Sequence, residues 1–222
     1  MYKINDHAAN ITGSTTDYSD SFNQYVYDAI PENTRCLDVG CSTGNLGSAL
    51  RTLKRCSVDG IEENPQAAAA AKSRGYDSVF DLDLNYELAS QYFEDRMYDV
   101  IVCADVLEHL VAPEQALARL RELLRPSGIF VISLPNVAFV LNRLHLLFGN
   151  WNYKEYGILD RTHLRFYTIK TGCQMVAASG LKVAMVKPYN QFGALRYLNQ
   201  LDRWFPTLFA YQFLVIAKRA VE

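Results

Sequence analysis

Four side chains are of the right types to handle a proton: Asp105, Glu108 and His109 close together in "ADVLEHL", and the distant His163 in "DRTHLRF". An imidazole titrates close to neutral pH, so His109 or His163 suits the removal of a proton from a hydroxyl group. The plainer reading of each is a cap or packing residue that donates one hydrogen bond. A second group begins in "CLDVGCSTGNLG", where Asp38 ends an apolar run and Gly40, Gly44 and Gly47 follow. Glu62, in "VDGIEEN", stands 24 residues after Asp38. An acid at that distance from a glycine turn suits the two hydroxyls of a ribose. The plainer readings are an ordinary strand-to-helix turn and a helix-capping acid.

The turn reads G-C-S-T-G-N-L-G, with Ser42 where a dinucleotide fingerprint has its middle glycine. Backbone must nearly touch a pyrophosphate there, so Ser42 disfavours that ligand, and Asp38 disfavours an anion. Asp38 favours a ligand with a cationic amino group. S-adenosylmethionine carries an amino acid end, a sulfonium and a ribose. A nicotinamide oxidoreductase is the less favoured alternative.

These residues need elements to hold them. Phe22, Tyr25, Val26 and Ala29 recur at helical spacing within residues 17–30. "RCLDVG" reads as a buried strand, and Leu46, Leu50 and Leu53 as the face of the helix after it. "CSVDGIE" is a second strand. The helix "NPQAAAAAKSRG" has Asn64 as its N-cap, Pro65 at its first position and Gly75 as its stop. "DSVFDLDL" reads as a third strand and its exit, "YELASQYF" as a short helix, and "YDVIVCAD" as a fourth strand. Pro113 opens a helix with Leu117, Leu120 and Leu124 inward, and "IFVISL" is a fifth strand. Thr168 caps a helix that ends at Gly180, and "LKVAMVK" and "YQFLVIAK" are the last two strands. Alternating helices and continuously apolar strands predict an α/β fold, a mostly parallel sheet covered on both faces. Ligands of such sheets bind beyond the carboxyl ends of the strands. Two excursions break the pattern: residues 136–160, rich in Leu, Phe, Trp and Tyr, and residues 190–206. The first reads as a lid on the acceptor side, with a dimer surface and a membrane contact as alternatives.

"LDVGCSTG", "GIEEN", "DLDL", "YDVIVCADVLEHL" and "LRPSGIFVISLPN" together resemble, in order, the motifs of class I S-adenosylmethionine-dependent methyltransferases. The resemblance covers about residues 33–187. "ADVLEHL" followed by "GILDRTHLRFYT" resembles the small-molecule O-methyltransferases of the ubiquinone-biosynthesis type. The resemblance implies a Rossmann-like, doubly wound, seven-stranded sheet with an antiparallel last strand. It implies a single domain over residues 1–222, with residues 1–30 a helical cap. Gly40 and Gly44 would line the methionine end, with Cys41, Ser42 and Asn45 of the same loop as further cofactor contacts. Asp38 would act on the amino group or hold the loop, and Glu62 would bind the ribose. Asp83 with the backbone of Leu84 would meet the adenine, Asp81 being the rival. Ala104 and Asp105 would flank the sulfonium. The Asp-x-x-Glu-His spacing plus a distant His resembles the Glu-x-x-Glu-His set of metal-assisted O-methyltransferases. Asp105, Glu108, His109 and His163 are therefore candidate ligands for magnesium, manganese or zinc. The first acid is Asp in place of Glu, one methylene shorter.

The composition bounds the rest. Half of the 222 residues are hydrophobic and 22 Lys and Arg stand against 24 Asp and Glu, which is globular and without the basic excess of broad nucleic-acid binding. Five scattered cysteines without a C-x-x-C pair argue against a disulfide framework and a cysteine-rich zinc site. No secretory signal and no run of about 18 apolar residues is found, so a cytoplasmic protein is expected. The expected activity is transfer of a methyl group to a hydroxyl of a small-molecule acceptor, a sugar or glycan precursor. N- or C-methylation and a quinone-like aromatic acceptor are the alternatives, and a non-catalytic S-adenosylmethionine-binding module is the alternative of another kind. Arg161 and Arg165 are candidates for an anionic acceptor. Tyr18 and Phe22 are candidates for capping it. His7 and His145 are assigned to surface or lid, and a homodimer is compatible with the sequence.

Overall fold

A computed structural model describes residues 22–86, 93, 96–190 and 204–220. The elements run α1 (Gln24–Ala29), β1 (Arg35–Val39), α2 (Asn45–Lys54), β2 (Ser57–Ile61), α3 (Pro65–Ser73), β3 (Ser78–Phe80), β4 (Tyr98–Ala104), α4 (Pro113–Arg121), β5 (Leu124–Pro135), α5 (Val140–Leu147), α6 (Ile169–Ala178), β6 (Leu181–Tyr189), α7 (Pro206–Phe209) and β7 (Gln212–Arg219). One seven-stranded sheet has the order β3-β2-β1-β4-β5-β7-β6. The first five strands are parallel. The last strand, β7, inserts antiparallel between β5 and β6. The chain order reverses between β1 and β4, which places the ligand crevice above their carboxyl ends.

The local signals explain the boundaries. Asn64 accepts from the N–H groups of Gln66 and Ala67, and Pro65 occupies the first turn of α3. Thr168 and Thr171 cap the start of α6 reciprocally. β1 and β4 are buried almost throughout because helices cover both faces of the sheet, and two apolar clusters fill those two layers. The third strand pairs as far as Phe80, and "DLDL" is its exit. Leu124 already belongs to β5, whose register with β4 slips between Tyr98 and Val100. Of the predicted first helix, Gln24–Ala29 is helical, while residues 17–21 lie outside the described residues, as do His7, Tyr18, most of "YELASQYF" and residues 191–203. The 136–160 excursion contains α5, none of whose residues is buried. Its far end is tied down where the N–H groups of Leu164 and Arg165 both donate to the Glu108 carbonyl.

Candidate functional site

The β1–α2 turn is built around a tyrosine. Tyr76, just after α3, is buried and donates its hydroxyl to Asp38 Oδ2 at 2.6 Å. The Tyr76 hydroxyl oxygen in turn accepts from the Gly47 N–H at 3.0 Å. Asp38, at the end of β1, is thereby linked to the first turn of α2. A Cβ on Gly47 would lie 2.1 Å from the Tyr76 ring, so the ring alone dictates glycine there. Gly44 has φ +87°, and a Cβ on it would meet the α3 backbone at Ala71. Burial pushes the Asp38 carboxyl up to about 6, against the Tyr76 hydrogen bond, and the nearby Glu62 adds to the rise.

Glu62 closes the turn from the β2 side. Its two oxygens accept from the Ser42 N–H (2.8 Å) and the Asn64 N–H (2.9 Å). Ser42 itself has φ +48°, the left-handed conformation that the fingerprint glycine would have taken freely. Between this loop and β4 lies a crevice of about 240 Å³, lined by Phe22, Asn23, Cys41, Ser42, Thr43, Gly44, Asn45, Leu46, Ala104 and Asp105. Six of the cofactor residues predicted from sequence, Cys41, Ser42, Gly44, Asn45, Ala104 and Asp105, thus line one crevice. Among the side chains lining it none is Lys or Arg. Asp83 and Leu84 are not among the residues lining it; Asp83 accepts from the Asn85 N–H, and Asn85 in turn holds the Val111 N–H. Asp81 is exposed. A larger hollow of about 630 Å³ lies at the opposite ends of the strands. There Arg35 and Arg96 both pair with the buried Asp59, which also accepts from the Tyr98 hydroxyl. That arrangement ties β1, β2 and β4 together and presents no reactive group.

Beyond β4 the chain makes a short 3-10 turn over Leu107–His109. Donor atoms of Glu108, His109 and His163 all lie within 4.8 Å of one another. His163 Nε2 is 3.9 Å from Glu108 Oε1. The His163 Nδ1 faces the Ile158 carbonyl at 3.1 Å, so it carries the hydrogen and Nε2 keeps its lone pair. The His109 Nδ1 faces the Thr162 carbonyl at 3.3 Å in the same way. Burial and the neighbouring His163 lower the His109 pKa, which favours its neutral form. Burial, with Asp105 nearby, raises Glu108 well above the carboxylate range. Glu108 Oε2 is buried and has no hydrogen-bond partner. Two oriented imidazoles and an unsatisfied carboxyl oxygen fit a divalent cation.

Asp105 does not join that trio. It has φ +54°, and its Oδ1 accepts from Ser133 Oγ (2.9 Å) and Gln212 Nε2 (3.0 Å). Burial raises its carboxyl. Arg161 pairs with Glu155, and Arg165 donates to the Val111 carbonyl. His145 is exposed on α5. Sequence reasoning missed Tyr76, Ser133 and Gln212. Tyr76 followed a recognised helix stop, but nothing local announces a hydroxyl that reaches back across α3.

Known proteins can now be set beside this geometry. The family described as "Methyltransferase domain" matches residues 15–186. The ubiquinone biosynthesis O-methyltransferase of Rickettsia prowazekii (strain Madrid E) is 29% identical over 124 residues, 51% of this chain and 47% of that protein. The protein of the same name from Aeromonas salmonicida (strain A449) is 26% identical over 151 residues, 67% of this chain and 63% of the relative. The chain spans about half the length of the curated relatives it matches. A crystal structure of an S-adenosylmethionine-dependent methyltransferase from Archaeoglobus fulgidus shares the fold with a TM-score of 0.62 at 17% identity, covering 88% of this chain and 90% of the other. No described helix is long and apolar enough to cross a membrane. With the family matched over most of its length and the strand order of that fold in place, the chain belongs to the methyltransferase-domain family, in the class I S-adenosylmethionine-dependent group.

Proposed function

We propose that this chain transfers the methyl group of S-adenosylmethionine to a hydroxyl of a small molecule, with a sugar or glycan precursor as the favoured acceptor. The observation that carries the reading is the crevice between the glycine turn and Ala104–Asp105, with Glu62 bonded to the Ser42 N–H of that turn. The first turn of α2 has no side-chain cap, and its amino end suits the carboxylate of a methionine moiety. Gly40, Cys41, Ser42, Gly44 and Asn45 border that moiety. Asp38 acts mainly through Tyr76 by holding the loop. Glu62 accepts from the ribose hydroxyls, Asp83 and Leu84 border the adenine, and Ala104 and Asp105 stand at the sulfonium. The sulfonium is already electrophilic, so alignment and exclusion of water supply most of the remaining acceleration.

An alcohol must also lose its proton. His163, with Nε2 unprotonated, is the favoured proton acceptor, and His109 stands beside it. A magnesium, manganese or zinc ion held by Glu108, His109 and His163 is a second reading, favoured by the orphaned Glu108 Oε2. Such an ion would lower the pKa of the acceptor hydroxyl.

Thermal unfolding with S-adenosylhomocysteine tests the first statement. At about 100 times its dissociation constant the ligand should add about 2.7 kcal/mol of stability. Glu62→Ala should weaken that binding about tenfold or more, as expected for lost charged hydrogen bonds. No stabilisation in the wild type sinks the reading. For the ion, stability and methyl transfer are compared after exhaustive chelation and after each metal is restored. Full activity and unchanged melting without metal remove the second reading.

A further inference from the structure

Helix α5 turns its apolar side outward. Leu141, Leu144, Leu147 and Phe148 share one face at helical spacing, and they are 49%, 45%, 76% and 77% exposed. The polar side chains are the ones tied to the protein. Asn142 Nδ2 donates to the Val137 carbonyl, and Arg143 donates to the Ala138 and Thr207 carbonyls. The helix is anchored from below, where Val140 packs against the buried Phe139, Ile158 and Leu159. The Arg143–Thr207 bond also holds α5 beside the start of α7, where Trp204 and Phe205 are 78% and 60% exposed. A helix face of large apolar side chains left in water marks an interaction surface.

The charges around this face select its occupant. Residues 136–154 contain no Asp or Glu, and Arg143 and Lys154 are exposed there. The partners of Arg143 are carbonyls, which leave its charge uncompensated. Glu155, the next acid along the chain, is paired with Arg161. A two-fold contact with a second copy would set this basic, acid-free face against itself. An anionic, apolar partner complements it. We propose that α5, with Trp204 and Phe205, docks on the surface of a bilayer that contains anionic phospholipid. The leucines and aromatic rings enter the interfacial layer, where tryptophan is at home, and Arg143 and Lys154 meet the headgroups. β5 runs parallel to β1 and β4, so α5 leaves the sheet at the end that carries the crevice, and docking turns that end toward the membrane. The contact needs no cofactor, so it goes beyond methyl transfer and stands or falls apart from it.

Co-sedimentation of the full chain with vesicles tests it, using phosphatidylcholine alone and phosphatidylcholine mixed with phosphatidylglycerol. The mixed vesicles should bind the protein more tightly than phosphatidylcholine alone, and high salt should weaken that binding. Leu144→Gln combined with Leu147→Gln should weaken binding to the mixed vesicles about tenfold or more. Its melting temperature should stay near wild type, because neither side chain is buried. Should the double variant fail to fold, Lys154→Glu provides the second test, since it reverses an exposed charge, leaves the apolar face intact and must also weaken binding. No binding to the mixed vesicles, equal binding to phosphatidylcholine alone, or wild-type binding by a folded variant overturns the proposal. A dimer in gel filtration that the double variant dissociates overturns it as well, since the face would then belong to a second copy.

Discussion

The residue that most changes the picture of the cofactor turn is Tyr76. Its hydroxyl donates to Asp38 and accepts from Gly47, so one oxygen fixes both a buried carboxylate and the start of α2. Tyr76→Phe removes both bonds and leaves the Gly47 N–H without its partner. Hydrogen bonds to charged groups contribute about 1.5–3 kcal/mol. Tyr76→Phe should therefore lower S-adenosylhomocysteine affinity at least fivefold, while circular dichroism shows the same secondary structure. Affinity equal to wild type would make the tyrosine a packing residue only. At this scale the sequence was partly legible. Asp38, Gly40, Gly44 and Glu62 were readable because each sits next to a strand end with a strong apolar run before it. Tyr76, Ser133 and Gln212 were not, because their partners lie 38, 28 and 107 positions away along the chain. No periodicity encodes such distances.

At the scale of elements, the packing of α2 against α3 depends on the same ring. Gly47 has room for nothing larger because Tyr76 occupies the space, and the two elements meet there. Gly47→Ala should cost about 1–3 kcal/mol, the usual range for overpacking. In a Tyr76→Leu background the same change should cost less, since the atoms it strikes are gone. A double-mutant cycle read by urea denaturation should give a coupling above about 1 kcal/mol. Additive costs would mean that α2 shifts freely and that the contact is not what demands glycine. The elements themselves were the most legible feature. Asn64, Pro65 and Thr168 mark helix starts by side-chain hydrogen bonds that involve only near neighbours. "DLDL" continues an alternating pattern after the third strand's pairing has stopped, so the pattern alone did not fix where the strand gives way to its exit. The pattern reports what a residue favours, and the ladder also requires a neighbouring strand. The trio of Glu108, His109 and His163 was foreseeable in kind, yet Asp105 leaves it because a left-handed backbone and two donors turn it toward β5 and β7.

Across the whole molecule, the carboxyl ends of the strands concentrate acids whose ionised forms are disfavoured by burial. Asp38 is raised to about 6 from an ordinary 3.8. Folding therefore takes up a proton at this position between those two values, and the stability it contributes is present below the lower one and lost as pH rises through the upper. The difference amounts to about 3 kcal/mol at most. Asp38→Asn should remove this contribution, so its melting temperature should fall less between pH 5 and pH 7 than that of the wild type. Parallel pH profiles for the two proteins would show that Asp38 titrates normally. The mostly parallel sheet followed from the chain order of its apolar runs. The antiparallel last strand came from the resemblance, and its place between β5 and β6 is shown by the structure, since strand order is a long-range property.

The close fit between residues 47 and 76 also bears on how the protein has diverged. A ring that fills the space of a missing side chain makes the two positions a single inherited unit. Relatives that lose the tyrosine are released from the glycine, and relatives that keep it are not. Substitutions at the two sites should therefore arise together across the family, separated by 29 positions in the chain. Counting glycines in the turn then measures the neighbour it folds against as much as the ligand it holds.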